Sequence, residues 1–353
     1  MGAAAFLRWR ARGFFRWAVR RIPRRSPTTP PARVLCLVCG GIGDRLTALP
    51  ALRLLKQRYP LIHRCVVWID GELDAVAGEF EDVRSGRWNA LLSALRAPDM
   101  VFVSIQGVFS VWTEMCALAS RAPIRIGPRS PDCASGTSVY TDEYVFRLDR
   151  HVTRVNYDAV GGTHGDREPV PYPVSPAASP PPGPPGSSKP LVLLHPGVGK
   201  GYAIKQWPPD RFRKLAETIV SSGACRVAVS AGPGEGDLAE FVAGGAHAQV
   251  FRAGTSTELF AAVAQADLVV ANDSGPAHAA AAINTPLVVL FGPTDPRRVA
   301  PIGPTCRIIR AECSCSPCFD HLPCCRRDRE CLRSLSVDDV YRSVKETLSL
   351  PQG

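Results

Sequence analysis

The run DLVVANDSGPAHAAAAINTPLVVLFGPTDP, from Asp267 to Pro296, constrains the fold of this chain more than any other stretch. Asp267 to Ala271 is short, apolar and rich in Val and Leu, the length and composition of a strand buried on both faces. Asp273 or Ser274 then supplies a helix N-cap, and Pro276 suits a first turn. The Ala-rich stretch continues to Ile283, where Asn284 and Pro286 end it. A second apolar run, Leu287 to Phe291, leads into the turn Gly292 to Pro296. Strand, helix and strand in this order predict a parallel sheet. Asp273, Ser274, Gly275, His278 and Thr294 then fall along the one edge where such sheets bind ligands.

The helix of about two turns predicted after Asp273 points its unpaired N–H groups at that edge. Such an N-terminus attracts phosphate, and Gly275 lets an anion approach the backbone closely. An isolated motif of this kind reads equally well as a capped helix with His278 packed inside. The second polar turn, GPTDP, favours a binding site, because two adjacent strand ends converge on one crevice.

The same alternation extends along the chain. With 353 residues it exceeds the length one core usually serves. Strand-like runs at Val34–Val38, Cys65–Ile69 and Met100–Ile105, and again at Leu191–Leu194, Arg226–Ser230, Leu268–Ala271 and Leu287–Phe291, alternate with helical patterns. Between the two sets, Glu168 to Pro190 holds ten prolines, which suits a semi-rigid connector and no sheet or helix. The expected organisation is a basic arm at 1–32, an α/β domain at 33–167, the connector at 168–190, and a second α/β domain with a Cys-rich tail at 191–353, both domains doubly wound.

Two further stretches carry candidate chemistry. After the strand Val34–Val38 comes a glycine-rich turn, Cys39 to Gly43, and from Arg45 a helix with Leu46, Leu49, Leu52 and Leu55 on one stripe. Asp44 stands at that helix's start, where an N-cap is the commoner role. A Walker loop would need a terminal G-K-[ST], and a dinucleotide fingerprint from Gly41 would need glycine where Leu46 stands. In the second domain His195 ends a strand and the loop to Gln206 contains Lys200 and Lys205, ammonium groups on flexible stems that suit phosphate. Glu235 and Asp237 lie in a second glycine-rich turn.

These blocks, in this order, resemble glycosyltransferase family 9, the lipopolysaccharide heptosyltransferases. The carriers are CGGIGDRLTALPALRLLKQRYP (Cys39 to Pro60), HPGVGKGYAIKQWPPDRF (His195 to Phe212), DSGPAHAAA with LFGPTDP, and the tail CLRSLSVDDVYRSV (Cys331 to Val344). Ser274 stands where that family more often has Thr, and Gln106 and Arg125 are weaker echoes. The resemblance implies two Rossmann-like domains facing a cleft, the GT-B architecture, and inverting transfer from a nucleotide-diphosphate sugar, ADP-heptose above all, to the lipopolysaccharide core. It implies Asp44 as general base in an acceptor-binding first domain. In the second it implies Lys205 on the donor diphosphate, with Lys200 as rival, and Glu235 on the ribose, with Asp237 as rival. No cofactor is implied. The chain has no D-x-D pair of the kind metal-dependent glycosyltransferases use. Alternative readings are a non-catalytic nucleotide-sugar-binding protein or a family enzyme with another hexose donor.

Charge and cysteine content bound the setting. The net charge is +10, and residues 1 to 33 hold nine Arg and no acid, which leaves the rest of the chain near +1. A basic arm interleaved with Phe6, Leu7, Trp9, Phe14, Phe15 and Trp17 reads as an interfacial segment for an anionic inner-membrane surface, with a disordered start, a mis-called start codon and a transit peptide as alternative readings. Charge confined to an arm argues against a nucleic-acid partner. The arm lacks a signal peptide's apolar core and cleavage site, and no run reaches the ~18 to 20 apolar residues of a membrane span, so the body is expected at the cytoplasmic face. Thirteen cysteines without an export signal are expected as free thiols. Six of them, Cys313, Cys315, Cys318, Cys324, Cys325 and Cys331, cluster with His321 without the paired spacing of a zinc ribbon, and no metal site is assigned there.

Overall fold

The computed structural model describes residues 31–96, 98–104, 111–129, 139–145, 149–162, 174, 189–318, 324 and 328–349. The arm at 1–30, Gln106 and nearly all of the proline-rich stretch therefore lie outside the described residues. The chain divides between Pro169 and Val170 into two compact units, with Leu73–Val76 grouped with the second.

The first unit runs β1 (Arg33–Val38), α1 (Ile42–Arg58), β2 (His63–Trp68), β3 (Asp82–Ser85), α2 (Arg87–Leu95), β4 (Met100–Ser104), α3 (Val111–Ser120), β5 (Ile124–Pro128), β6 (Asp142–Tyr144) and α4 (Val152–Ala159). Its six strands are all parallel, in the order β3-β2-β1-β4-β5-β6. Along β1 alternate residues turn to opposite sides: Leu35 and Leu37 join Val67, Val101, Ala90, Ala94 and Ala117 in one core. Val34, Cys36 and Val38 are buried equally well, so both faces of the sheet are covered. The leucine stripe of α1, Leu46, Leu49, Leu52 and Leu55, is wholly buried as its spacing predicts.

The second unit runs β7 (Leu191–His195), α5 (Pro209–Ser221), β8 (Arg226–Ala231), α6 (Gly236–Gly244), β9 (Gln249–Arg252), α7 (Ser256–Ala264), β10 (Leu268–Asn272), α8 (Gly275–Ala282), β11 (Leu287–Phe291), α9 (Pro296–Val299), β12 (Cys306–Arg310), α10 (Glu330–Arg333) and α11 (Val337–Thr347). Its sheet, again parallel, has the order β12-β11-β10-β7-β8-β9. Every residue of β10 and β11 is buried. Val192, Leu194, Leu268, Val270, Val288 and Leu290 pack on one side with Phe212, Leu215 and Ile219 of α5 and Val340 and Val344 of α11. Both units are thus doubly wound α/β folds of Rossmann type, and in each the strand order reverses beside the first strand, at β1/β4 and β7/β10. That reversal opens a crevice at the carboxyl ends of the strands.

Candidate functional site

In the second unit the crevice is furnished by the ends of β7, β10 and β11. Asn272, the last residue of β10, is fully buried and ties three pieces together. Its side-chain Oδ1 accepts from the Trp207 backbone N–H at 2.9 Å, and its side-chain Nδ2 donates to the Pro196 carbonyl at 2.9 Å. Asp273 follows, 5% exposed, and its Oδ2 accepts from Thr294 Oγ1 at 2.7 Å and from Lys205 Nζ at 3.1 Å. The lysine reaches it from a short 3₁₀ turn, Ala203–Lys205. A carboxylate this enclosed would be costly alone; the ammonium and hydroxyl compensate it.

The start of α8 differs from the expected cap. Ser274 occupies the N-cap position in an extended conformation, but its hydroxyl donates back to the Asn272 carbonyl at 3.2 Å and makes no capping bond. The first turn is therefore not covered by its own side chain, and its dipole faces the crevice beside Lys205. Gly275 and Pro276 open the helix, His278 is half-buried on it, and Asn284 in the left-handed region ends it.

A second carboxylate stands across the neighbouring loops. Glu235 accepts on Oε1 from the Gly199 N–H at 2.9 Å and on Oε2 from the Gly232 N–H at 2.9 Å. Its Oε2 also lies 3.4 Å from His195 Nε2. A Cβ on Gly197 would come within 2.1 Å of this carboxylate, so glycine is required there for closeness of approach. Lys200 and Asp237 are both exposed.

In the first unit the glycine turn after β1 is held by two carboxylates, Asp44 and Asp70. The helix begins at Ile42, three residues before the expected Arg45, with Gly41 as N-cap. Asp44 is consequently the third helical residue and not the cap. Its Oδ2 accepts from the Gly41 N–H at 2.7 Å, one half of a capping box closed by the side chain alone. Gly40 has φ +103°, and a Cβ there would fall 2.0 Å from Asp44 Oδ2. Asp70, two residues past the end of β2, accepts from the Gly40 N–H at 3.0 Å, and buried Arg45 donates to the Gly40 carbonyl at 3.1 Å. Burial lowers the Arg45 pKa. Burial, reinforced by Asp70 and Asp44, pushes the Cys39 thiol well above its usual range, so it stays neutral.

In the second unit, a lysine beside a helix N-terminus and a carboxylate fixed by two glycine N–H groups lie at the carboxyl edge of a doubly wound sheet, an arrangement suited to an anionic ligand. Residues 145–325, just over half of the chain, match the sequence profile of glycosyltransferase family 9 (heptosyltransferase). The chain belongs to that family.

Among the relatives of this family 9 chain, a lipooligosaccharide heptosyltransferase 2 of Haemophilus influenzae is 33% identical over 135 residues, 35% of this chain and 37% of the relative. The matched stretch thus spans little more than a third of that relative's length. Among solved structures, Escherichia coli ADP-heptose lps heptosyltransferase II superposes with TM-score 0.68 at 18% identity, covering 90% of this chain and 98% of that one. An E. coli heptosyltransferase solved with ADP gives TM-score 0.63 at 20% identity, covering 89% and 99%. At these identities the superpositions speak for the fold.

Within the family 9 chain, sequence reasoning gave no role to Asp70, Asn272 or His195, whose importance appears only in contacts with residues far along the chain. Arg125 is buried in β5, where its guanidinium donates to the carbonyls of Val139 and Ala122 and fastens the backbone. In the tail, Cys313 Sγ and Cys315 Sγ are 3.3 Å apart. The Cys318 N–H donates to the Pro293 carbonyl at 2.7 Å and Ser316 Oγ to the Gly292 carbonyl at 2.5 Å, so this loop braces the turn that carries Thr294. Among the described residues no group of three or more His, Cys, Asp or Glu is arranged to hold a metal ion, and no helix is long and apolar enough to cross a membrane. His321 and Cys325 lie outside the described residues.

Proposed function

We propose that this family 9 chain catalyses inverting, metal-independent transfer of a sugar from a nucleotide-diphosphate donor, ADP-heptose, to a hydroxyl of the lipopolysaccharide core. The observation that carries the reading is the Lys205–Asp273–Thr294 cluster at the open start of α8. It places a held ammonium beside a helix N-terminus, two independent attractions for a diphosphate. Asp273 fixes the ammonium without accepting the anion itself. Glu235 supplies a fixed carboxylate suited to a ribose hydroxyl. The charge that develops on the departing diphosphate meets donors already in place, which is where electrostatic preorganisation lowers a barrier most.

In this reading Asp44, on the first unit, takes the proton from the acceptor hydroxyl as that oxygen attacks the anomeric carbon. The carbon–oxygen bond to the acceptor forms as the bond to the diphosphate breaks, so the anomeric configuration inverts. The names of the relatives support both the ADP-linked donor and the lipopolysaccharide acceptor. The arm at 1–32 would dock the chain on the anionic cytoplasmic face of the inner membrane, where such an acceptor is anchored. Incubating the purified chain with ADP-heptose and a heptose-deficient core acceptor in excess chelator tests the reading. Expected are stoichiometric ADP release, a core one heptose heavier and an inverted anomeric centre by NMR. Retained configuration, or no transfer beyond slow donor hydrolysis, would refute it.

A further inference from the structure

One buried titratable side chain in the second unit has no part in the mechanism above. His195 ends β7 with its side chain 4% exposed, its Nδ1 3.0 Å from Ser230 Oγ and its Nε2 3.4 Å from Glu235 Oε2. Burial lowers its pKa against the opposing pull of Glu235, so the ring is neutral near pH 7. A neutral imidazole has one N–H, and the surroundings decide which nitrogen carries it. If Nδ1 carried the proton, the bare lone pair of Nε2 would face a carboxylate oxygen. With the proton on Nε2, its N–H faces Glu235 Oε2 across 3.4 Å and Nδ1 accepts from the Ser230 hydroxyl. Ser230 has a second acceptor, the Leu194 carbonyl, only at 3.4 Å.

The loop that this carboxylate serves is the one that carries Lys205. Its beginning is tied by the Asn272 and Gln206 amides, which both donate to the Pro196 carbonyl. Its end is tied by Lys205 to Asp273. Between them, Gly199 to Ala203 are all exposed, and Gly199 and Gly201 have φ +76° and +91°. Within this middle part the Gly199 N–H bond to Glu235 reaches the neighbouring β8–α6 turn, and Arg329 donates to the Ala203 carbonyl at 2.7 Å. Glu235 in turn belongs to that turn through the Gly232 N–H.

We infer that His195 is a positioning residue: through its Nε2–H it aims the Glu235 carboxylate at Gly199, and so fixes the Pro196–Ile204 loop that delivers Lys205 to Asp273. The site then depends on a line of contacts, Ser230 to His195 to Glu235 to Gly199, whose first two members never meet the ligand. The inference rests on the donor reading for its ligand but not for its geometry.

The test uses the full chain with ADP as probe. Gln places an amide N–H near the Nε2 position, whereas Asn reaches only the Nδ1 side. His195→Asn should weaken ADP binding by roughly 10- to 100-fold, the loss of one hydrogen bond to a charged group, and His195→Gln should recover most of it. In a Glu235→Ala background, His195→Asn should cost no more than about 2-fold, because the two act in series. Equal losses in both backgrounds, or a Gln variant as weak as Asn, overturns the assignment. Amide exchange separates this from the donor reading: in the unligated chain, residues 197–205 should exchange faster in His195→Asn than in wild type or His195→Gln. Wild-type chain that binds no ADP refutes the donor reading, while exchange still decides the positioning role of His195. Should His195→Asn not fold, Glu235→Ala is read in the same exchange experiment, where a Gly199 amide as protected as in wild type overturns it.

Discussion

Asp44→Asn separates the two roles that a carboxylate can play at the start of α1. The wild-type Oδ2 accepts the Gly41 N–H at 2.7 Å, and the Asn carbonyl oxygen can accept the same bond. What the substitution removes from stability is a charge near a helix N-terminus, about 0.3 to 1 kcal/mol, plus the charge-assisted part of one hydrogen bond, about 1 kcal/mol. A change of ~1 to 2 kcal/mol leaves a folded chain at assay temperature. Removing a general base costs ~100- to 10,000-fold in rate, equivalent to about 2.7 to 5.4 kcal/mol on the barrier. Denaturant midpoints, ADP affinity and single-turnover transfer on saturating acceptor should therefore diverge: small, none and large. Gly40→Ala is the companion, since its Cβ would take the place of the Asp44 oxygen in a backbone already at φ +103°. It should lose rate on a similar scale with the carboxylate chemically intact. An Asp44→Asn enzyme that keeps more than about a third of its transfer rate would refute the general-base assignment.

Lys205→Ala should raise the donor KM and lower turnover together, by ~10- to 100-fold in kcat/KM, whereas exposed Lys200→Ala should change either by less than ~2-fold; the reverse ranking would move the role to Lys200. His195 is buried and neutral with a lowered pKa, while in the unfolded chain it takes up a proton near pH ~6.5. Its contribution therefore turns destabilising as pH falls below ~6.5, and His195→Gln should flatten the loss of second-unit stability between about pH 6.5 and 5, measured by urea midpoints. An unchanged slope would show that this histidine does not carry the linkage. Binding of the full chain to anionic vesicles should weaken steeply with salt through Arg8 to Arg25, because the attraction decays within ~8 to 10 Å, and salt-insensitive binding would remove the arm's electrostatic role.

The legible parts of this protein were those fixed by local pattern. Runs such as Leu268–Asn272 and Leu287–Phe291 are buried on both faces, so they read as continuous apolar segments, and the glycine and proline punctuation around α8 marks its ends. Missed were the edge strands β3, β6, β9 and β12 and the short interior strand β5. Asp82, Arg84, Gln249, Arg252, Arg307 and Arg310 lie in three of the sheet edges, where one side meets solvent and charge is tolerated, so no apolar signal survives. The start of α1 was displaced because Gly43 looked like a turn residue, while the helix in fact begins at Ile42 and makes Asp44 a third-position acceptor.

The sequence by itself determined that the chain would form two doubly wound units and which turns would lie at their carboxyl edges, because strand and helix periods and turn residues are local properties. It also marked Asp44, Lys205, Glu235, Asp273 and Thr294 as the residues to watch. Only the tertiary structure decided what each of them touches. Lys205 meets Asp273 across 68 positions of sequence, Glu235 meets Gly199 across 36, and Asp70 reaches Gly40 across 30. Such pairs are set by which strands lie side by side in the sheet. The order β10-β7-β8 brings the loops after Asn272, His195 and Ala231 to one edge, and the directional, short-ranged bonds between carboxylates and N–H groups then select partners that sequence proximity cannot reveal.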